Sequence, residues 1–164
     1  MSIQNGFQIG SWVVYPAHGV GKLDGVDKFE IAGENVKFFV ISFPSNKLVL
    51  KLPVEKAIEC GLRCVASREQ LAVVFKILST KLQKKRVVWS KRLQEYTAKI
   101  NSGSLAMIAE VIRDVYKDGG VQSLSFSERQ VYYNALDRLV KEISIIENEE
   151  EQFIVNKVER CLAA

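Results

Sequence analysis

Apolar and polar residues alternate with a period of two in the first third of the chain, which predicts strands. The strongest run is 36–43, VKFFVISF, because aromatic and β-branched residues favour extended backbone. In the run 47–53 the leucines share one face, whereas Lys47, Val49 and Lys51 share the other. Three shorter runs precede these two: 12–15, 20–23 and 26–31. Together they predict a small, strongly bent antiparallel sheet that forms a half-open barrel.

From about Ser67 the apolar residues repeat with the period of a helix. Two capping boxes, Ser67-x-x-Gln70 and Ser125-x-x-Glu128, mark helix starts, and Ser104 is a third N-cap. The predicted helices run from 67 to 78, from 89 or 90 to 100, from 104 to a stop at Gly119-Gly120, from 125 to 143 and from 149 to 162. We therefore expect an α+β protein, with a β domain at residues 1–60 and a compact all-helical domain at 61–164.

The positive charge of the chain is concentrated in one segment, residues 76–99. The whole chain carries +4, but this segment holds eight basic side chains and one acidic side chain, Glu95, and so carries +7. Localised charge indicates a binding site, whereas charge spread over the surface would indicate only solubility. Trp89 lies within the segment, next to Val87 and Val88. A tryptophan beside two valines is by itself more typical of a core. Because a buried tryptophan needs no collar of cations, we favour a surface for nucleic acid.

Enzyme motifs are absent from the sequence: it has no P-loop, metal-ligand cluster, nucleophile motif or Gly-rich phosphate loop, so we expect no catalytic residue, cofactor or small-molecule substrate. The single histidine, His18, lies in the turn YPAHG without triad partners at motif spacing. Cys60 and Cys64 are spaced C-x3-C, but no second ligand pair follows, and an odd count of three cysteines argues against a disulfide framework, so we expect free thiols and no metal site. No apolar run is long enough to span a membrane, and the N-terminus does not resemble a signal peptide, so we expect a cytoplasmic protein.

Three sets of residues resemble the CarD-like (CarD/CdnL) bacterial transcription regulators. The first is GSWVVYPAHGVGKL at 10–23, close to the G-D-x-V-V-Y-P-x-H-G form that the family shares with transcription-repair coupling helicases. The second is LVLKLP at 48–53. The third is a C-terminal series: WSKR at 89–92, KINSG at 99–103, AEVIRD at 109–114 and Leu124-Ser125-x-x-Glu128. The first and last sets together make the resemblance specific, and it covers almost the whole chain.

The resemblance implies a Tudor-like RNA-polymerase-interaction domain followed by a helical DNA-binding domain. It implies a non-enzymatic regulator of transcription initiation that binds the RNA polymerase β subunit and the minor groove of promoter DNA, largely without sequence preference, and that associates with the nucleoid through the polymerase. Trp89 would wedge at the upstream edge of the melted region and stabilise the open complex. The residues expected at the DNA are Trp89, Lys84, Lys85, Arg86, Lys91 and Arg92. Those expected at the polymerase are Lys47, Val49, Lys51 and Pro53.

The chain also departs from the family pattern at the expected polymerase contact. Lys51 stands where close relatives often have Arg, which keeps the charge but loses the planar fork of the guanidinium. Phe29 stands where some relatives have Arg, so we expect a different interface there. A second hypothesis is a polymerase-binding protein whose helical domain contacts another protein through Trp89. It predicts that salt has little effect on binding by the helical domain.

Overall fold

The structure, a computed structural model, describes residues 3–44, 47–81, 88–116 and 120–163. The chain divides into two compact units, Met1–Val65 and Ala66–Ala164. The first unit consists of antiparallel β-structure and the second of helices. The expected α+β fold, with a small β domain followed by a helical domain, is therefore confirmed.

The N-terminal unit is built on a two-stranded hairpin and a five-stranded antiparallel sheet. The hairpin pairs β1 (Ile3–Gln4) with β2 (Phe7–Gln8). The strands of the sheet are β3 (Trp12–Tyr15), β4 (Gly19–Ile31), β5 (Glu34–Phe43), β6 (Leu48–Pro53) and β7 (Arg63–Cys64). Their spatial order is β6-β5-β4-β3-β7. The sequence did not predict β1, β2 and β7, because strands of two residues are too short for an alternation to show.

Strand β4 is one strand of 13 residues where the pattern predicts two shorter ones. Its halves are joined through a β-bulge: Leu23 lies opposite Ile41, but Gly25 lies opposite Val40, so Asp24 is the extra residue. Because of this extra residue, every later β4 side chain lies on the opposite face of the sheet from the one that regular alternation from Leu23 would give. Beyond it, β4 and β5 continue as a two-stranded arm, and its tip, residues 27–35, is exposed.

The core of the β unit lies on the face of the sheet opposite to that of Lys51. Its buried residues are Phe7, Val13, Leu23, Phe39, Ile41, Phe43, Leu52, Val54, Ala57 and Leu62. Close packing here depends on Gly21, because a Cβ atom at that position would lie 2.7 Å from Cε1 of Phe43. Any larger residue would push the Phe43 ring out of a close-packed core. Glycine at this position therefore lets the aromatic ring lie directly on β4.

Strand β6 has the alternation that the sequence predicts. Leu52 is buried and Leu48 and Leu50 pack partly against the core, whereas Val49 is 58% exposed. The strand begins at Leu48, one residue later than expected. Lys47 lies in the preceding turn with a positive φ of 53°, a left-handed conformation that ends strand geometry.

The described part of the second unit contains five α-helices, and three of them start at the capping residues predicted from the sequence. They are α1 (Arg68–Ser79), α2 (Trp89–Asn101), α3 (Leu105–Val115), α4 (Phe126–Glu147) and α5 (Glu151–Ala163). The capping boxes at Ser67 and Ser125 both form, and the Ser104 side chain accepts the N–H of Met107. α3 ends before the predicted stop at Gly119-Gly120. Among the described residues, no helix is both long and apolar enough to cross a membrane.

Tyr132 lies in the core of the helical unit and has no solvent exposure. Its hydroxyl group is buried and has no hydrogen-bond partner among the described residues. Burial raises the pKa of Tyr132, and the nearby Glu159 and Tyr116 raise it further. A buried hydroxyl group without a partner costs stability, so this residue is a point of weakness in an otherwise apolar core.

Candidate functional sites

The first candidate site is the free edge of the five-stranded sheet. Strand β6 is the terminal strand and pairs only with β5 among the described strands. An edge strand has unpaired backbone N–H and C=O groups, so it can pair with a strand from another protein. The strand at the other end, β7, has only two residues. β6 therefore offers the longer open edge.

Lys51 on β6 meets the arm through two contacts. Its Nζ atom lies 3.5 Å from Oδ2 of Asp27 and 4.7 Å from the centre of the Phe29 ring. The Phe29 ring in turn meets Phe38 edge-on, with ring centres 5.5 Å apart. Lys51 and Asp27 are each about half exposed, and exposed ion pairs contribute little, about 0–1 kcal/mol. The Lys51 ammonium group is thus positioned by the arm but remains available to a partner.

Strand register explains why these residues meet. Asp27 on β4 lies opposite Phe38 on β5, and Val40 on β5 lies opposite Lys51 on β6. Residues directly opposite each other have their side chains on the same face of the sheet, so these four side chains lie on the outer face, away from the core. Pro53, opposite Phe38, is partly buried on the same face. Of the four residues expected at the polymerase, Val49, Lys51 and Pro53 share this strand face, and Lys47 lies in the turn before it.

The second candidate site is the N-terminus of α2. Trp89 is the first residue of this helix, and it is half buried. It packs against the helical core, where its ring meets Tyr96 edge-on with ring centres 6.1 Å apart. The preceding residue, Val88, is 73% exposed. The Trp89 indole therefore packs on the helical core and keeps an accessible part.

The electrostatics of the α2 N-terminus favour an anion. The N-cap residue is Val88, which offers no side-chain acceptor, and the first turn contains no acidic residue. Instead Lys91 and Arg92 lie in that turn, and their N–H groups bond to the Val88 carbonyl at 3.1 Å. Cations near the positive end of a helix dipole are unfavourable for the isolated helix. A phosphate group placed there would relieve this repulsion.

The two cations of the first turn are not equivalent. Lys91 is exposed, whereas Arg92 is half buried. Burial raises the pKa of Tyr96, Asp114 raises it further, and Arg92 acts in the opposite direction, so Arg92 lies within electrostatic range of the Tyr96 hydroxyl group. Lys91 is therefore the cation of this turn that is most accessible to a ligand.

The structure brings together three of the six residues expected at DNA, namely Trp89, Lys91 and Arg92. Lys84, Lys85 and Arg86 lie outside the described residues. At the two ends of the basic segment, Lys76 is exposed on α1, and Lys99 is bound to Glu110 at 3.1 Å. This ion pair indicates that Lys99 has a structural role within the helical unit.

Neither histidine nor cysteine chemistry gives a further site. The His18 ring stacks on Tyr15 and also touches Phe43, with ring centres 5.7 and 5.3 Å apart, so it has a packing role in the turn. No group of three or more potential metal-ligating side chains occurs in the part of the chain that the structure describes.

Phe29 is a residue whose role could not be predicted from the sequence, where it stands out only as a departure from a family pattern. Its place beneath Lys51 depends on strand register, which the sequence did not reveal.

The chain thus combines an open-edged β unit with a helical unit that has a cationic helix end. A family model described as "CarD-like/TRCF RID domain" matches residues 7–65, and a model described as "CarD, C-terminal domain" matches residues 73–159. The chain therefore belongs to the CarD family of transcription regulators. Membership in this family means regulation of transcription in association with RNA polymerase.

A bacterial relative agrees with this assignment. The protein named "Putative transcription factor YdeB" from Bacillus subtilis (strain 168) is 28% identical to this chain over 148 residues. The match covers 90% of this chain and 97% of the relative, so both units are included.

Proposed function

We propose that this protein binds the RNA polymerase β subunit through its N-terminal unit and promoter DNA through its helical unit, and that Trp89 stabilises the open promoter complex. The observation that carries this proposal is the position of Trp89, a partly accessible indole at a helix N-terminus that has cations but no capping side chain. The combination offers an apolar wedge and an anion site within one helical turn.

The polymerase contact is proposed to form by strand addition at β6. Main-chain hydrogen bonds from the partner strand would supply affinity, and side chains on the outer face would supply specificity. Val49 offers an exposed apolar surface there, and Lys51 offers a cation held over Phe29. A polymerase strand with an apolar side chain and a carboxylate would complement both.

At the DNA, Trp89 would enter the minor groove at the upstream edge of the melted region. Insertion of an apolar side chain at a base step costs about a few kcal/mol of unstacking. That cost is lowest where the duplex is already opening, so the wedge favours the open form over the closed form. Lys91 and Arg92, together with Lys84, Lys85 and Arg86, would contact phosphates, and each contact would add close to one unit of salt dependence to the logarithm of the affinity.

The test is the lifetime of the open complex on a linear promoter, measured after a heparin challenge with polymerase and saturating protein. We expect wild type to lengthen the lifetime and Trp89→Ala to lose most of that gain. Phe153→Ala is the matched control, because Phe153 is a partly exposed aromatic residue on α5. If Trp89→Ala protects the complex as well as the control does, the wedge mechanism is wrong.

A second candidate function is supported by α4. Phe126 is 76% exposed and Tyr133, two helical turns later, is also exposed, so this helix presents aromatic residues to solvent. Such a surface suits a protein partner. In that case the helical unit would bind another protein, and neither added duplex DNA nor salt would weaken the interaction strongly.

A further inference from the structure

Glu142 on α4 is a charged side chain inside the core of the helical unit. It is 2% exposed and is the only buried polar or charged residue among those the structure describes. Its Oε2 atom accepts a hydrogen bond of 2.8 Å from the backbone N–H of Ala66. An acidic side chain is unfavourable in an apolar core unless its oxygens are bound, and this hydrogen bond binds one of them.

The residue that Glu142 binds is the first residue of the helical unit. Ala66 is itself buried, and the next residue, Ser67, is the N-cap of α1. The Ser67 N–H donates to the Gln70 side chain at 2.9 Å, and the Ser67 hydroxyl accepts the Gln70 N–H. Two successive backbone N–H groups at the start of the unit are therefore bound by side chains, the first of them across 76 positions of sequence.

On the other side of the unit boundary, the chain is held by the sheet. Strand β7 pairs with β3, and Cys64 lies opposite Val13. Val65 is then the one residue between a strand position and the residue that Glu142 holds. Since consecutive Cα atoms are about 3.8 Å apart, the Cα atoms of Cys64 and Ala66 are separated by about 7 Å at most.

We propose that Glu142 is a positioning residue: by holding Ala66, it reduces the joint between the two units to Val65 and so narrows the range of orientations that they can adopt. Without this carboxylate, Ala66 as well as Val65 would contribute to the joint, up to the N-cap Ser67, which is held by its own capping box. The consequence for transcription rests on the proposed function. Once the β unit is docked on polymerase, a shorter joint confines Trp89 to a smaller volume and raises its effective concentration at the DNA.

The proposal is tested on the full chain by pulsed electron paramagnetic resonance. Spin labels are placed on the exposed positions Glu55→Cys and Glu150→Cys, one in each unit. The native cysteines are replaced in this background by Cys60→Ser, Cys64→Ser and Cys161→Ala. The width of the distance distribution then reports the range of orientations, without any need for polymerase or DNA.

Three substitutions separate positioning from stability. Glu142→Leu removes the acceptor and should broaden the distribution, whereas Glu142→Gln retains an acceptor and should keep it narrow. Val158→Ala creates a cavity in the same core and should leave the width unchanged despite its cost in stability. Hydrogen exchange of the Ala66 amide should accelerate by about tenfold or more in Glu142→Leu, since a buried hydrogen bond to a charged group is lost.

A narrow distribution in folded Glu142→Leu overturns the proposal. If that variant does not fold, a Gly-Ser insertion between Cys64 and Val65 decides the question, because it lengthens the joint and leaves Glu142 in place. The insertion should broaden the distribution, and a wild-type distribution as broad as that of the insertion variant overturns the proposal. Open-complex lifetimes of the same variants test the proposed function separately.

Discussion

The ring of Trp89 meets the ring of Tyr96 edge-on, with ring centres 6.1 Å apart and an angle of 60° between the planes. This contact holds one side of the indole on the helical core, because Tyr96 is itself buried. Trp89 therefore combines a structural role with its proposed role at DNA, and a simple truncation would disturb both.

Trp89→Phe should separate the two roles. A phenyl ring retains most of the contact with Tyr96, so we expect the free energy of unfolding to fall by less than about 1.5 kcal/mol, as for other swaps between large apolar residues. The ring is shorter than an indole, so open-complex lifetime should fall towards that of Trp89→Ala. Urea unfolding and lifetime measurements on the same variants check this prediction. If the open-complex lifetime falls only in proportion to the loss of stability in Trp89→Phe and Trp89→Ala, the prediction is wrong.

Lys91→Glu should change stability and DNA binding in opposite directions. Removal of a cation from the first turn of α2, with an acidic side chain in its place, improves the interaction with the helix dipole by about 0.3–1 kcal/mol, so the melting temperature should rise. DNA binding should weaken, and the slope of log affinity against log salt should fall by close to one unit or more.

Lys76→Glu is the matched control for Lys91→Glu. Lys76 is an exposed lysine in the last turn of α1, where a cation is favourable, so this variant should lose a little stability. Its DNA affinity should stay near the wild-type value. Equal losses of DNA affinity in both variants would show that only net charge matters.

Lys51→Gln should weaken binding to RNA polymerase and leave DNA binding unchanged. The substitution removes the ammonium group that lies over Phe29, and it avoids the repulsion that a glutamate would create beside Asp27. Lys28→Gln, on the exposed opposite face of the arm, is the control. Biolayer interferometry with immobilised polymerase checks the prediction. Wild-type affinity in Lys51→Gln would argue against β6 as the docking strand.

Tyr132→Phe should stabilise the protein by about 1 kcal/mol, since it removes a buried hydroxyl group that has no partner among the described residues. The pKa of Tyr132 is raised above its ordinary value of 10.0, so the unfolded chain releases the phenolic proton first as pH rises. The contribution of this pKa difference to the free energy of unfolding is fully present below pH 10 and is lost as the pH rises above 10. Thermal unfolding between neutral and alkaline pH should show a shallower alkaline loss for Tyr132→Phe than for wild type. Tyr133→Phe, at an exposed neighbouring position, should behave as wild type.

The sequence was sufficient for the features that depend on local chemistry. The caps at Ser67, Ser104 and Ser125 are read from side chains that bind the nearest backbone N–H groups, so helix starts could be predicted closely. The alternation in β6 was also local, and it correctly separated Val49 from the leucines.

The arm could not be predicted in the same way, because the bulge at Asp24 is a property of two strands. Counting in steps of two from Leu23 would place Phe29 on the core side of the sheet. The extra residue reverses this, and Phe29 lies on the outer face beneath Lys51. The contact between Glu142 and Ala66 was invisible for a similar reason, since nothing in the helical period distinguishes a buried glutamate from an exposed one.

The hydrogen bond between Ala66 and Glu142 also determines how the two halves can be recombined. The matched RID segment ends at residue 65, directly before the residue whose N–H the distant carboxylate holds. Ala66 and Glu142 both lie in the second unit, so a cut between Val65 and Ala66 keeps the donor and its acceptor in one piece. A cut placed one residue later would leave Ala66 on the β piece and separate it from its acceptor. For protein engineering, a chimera of the two halves therefore has to be joined between residues 65 and 66.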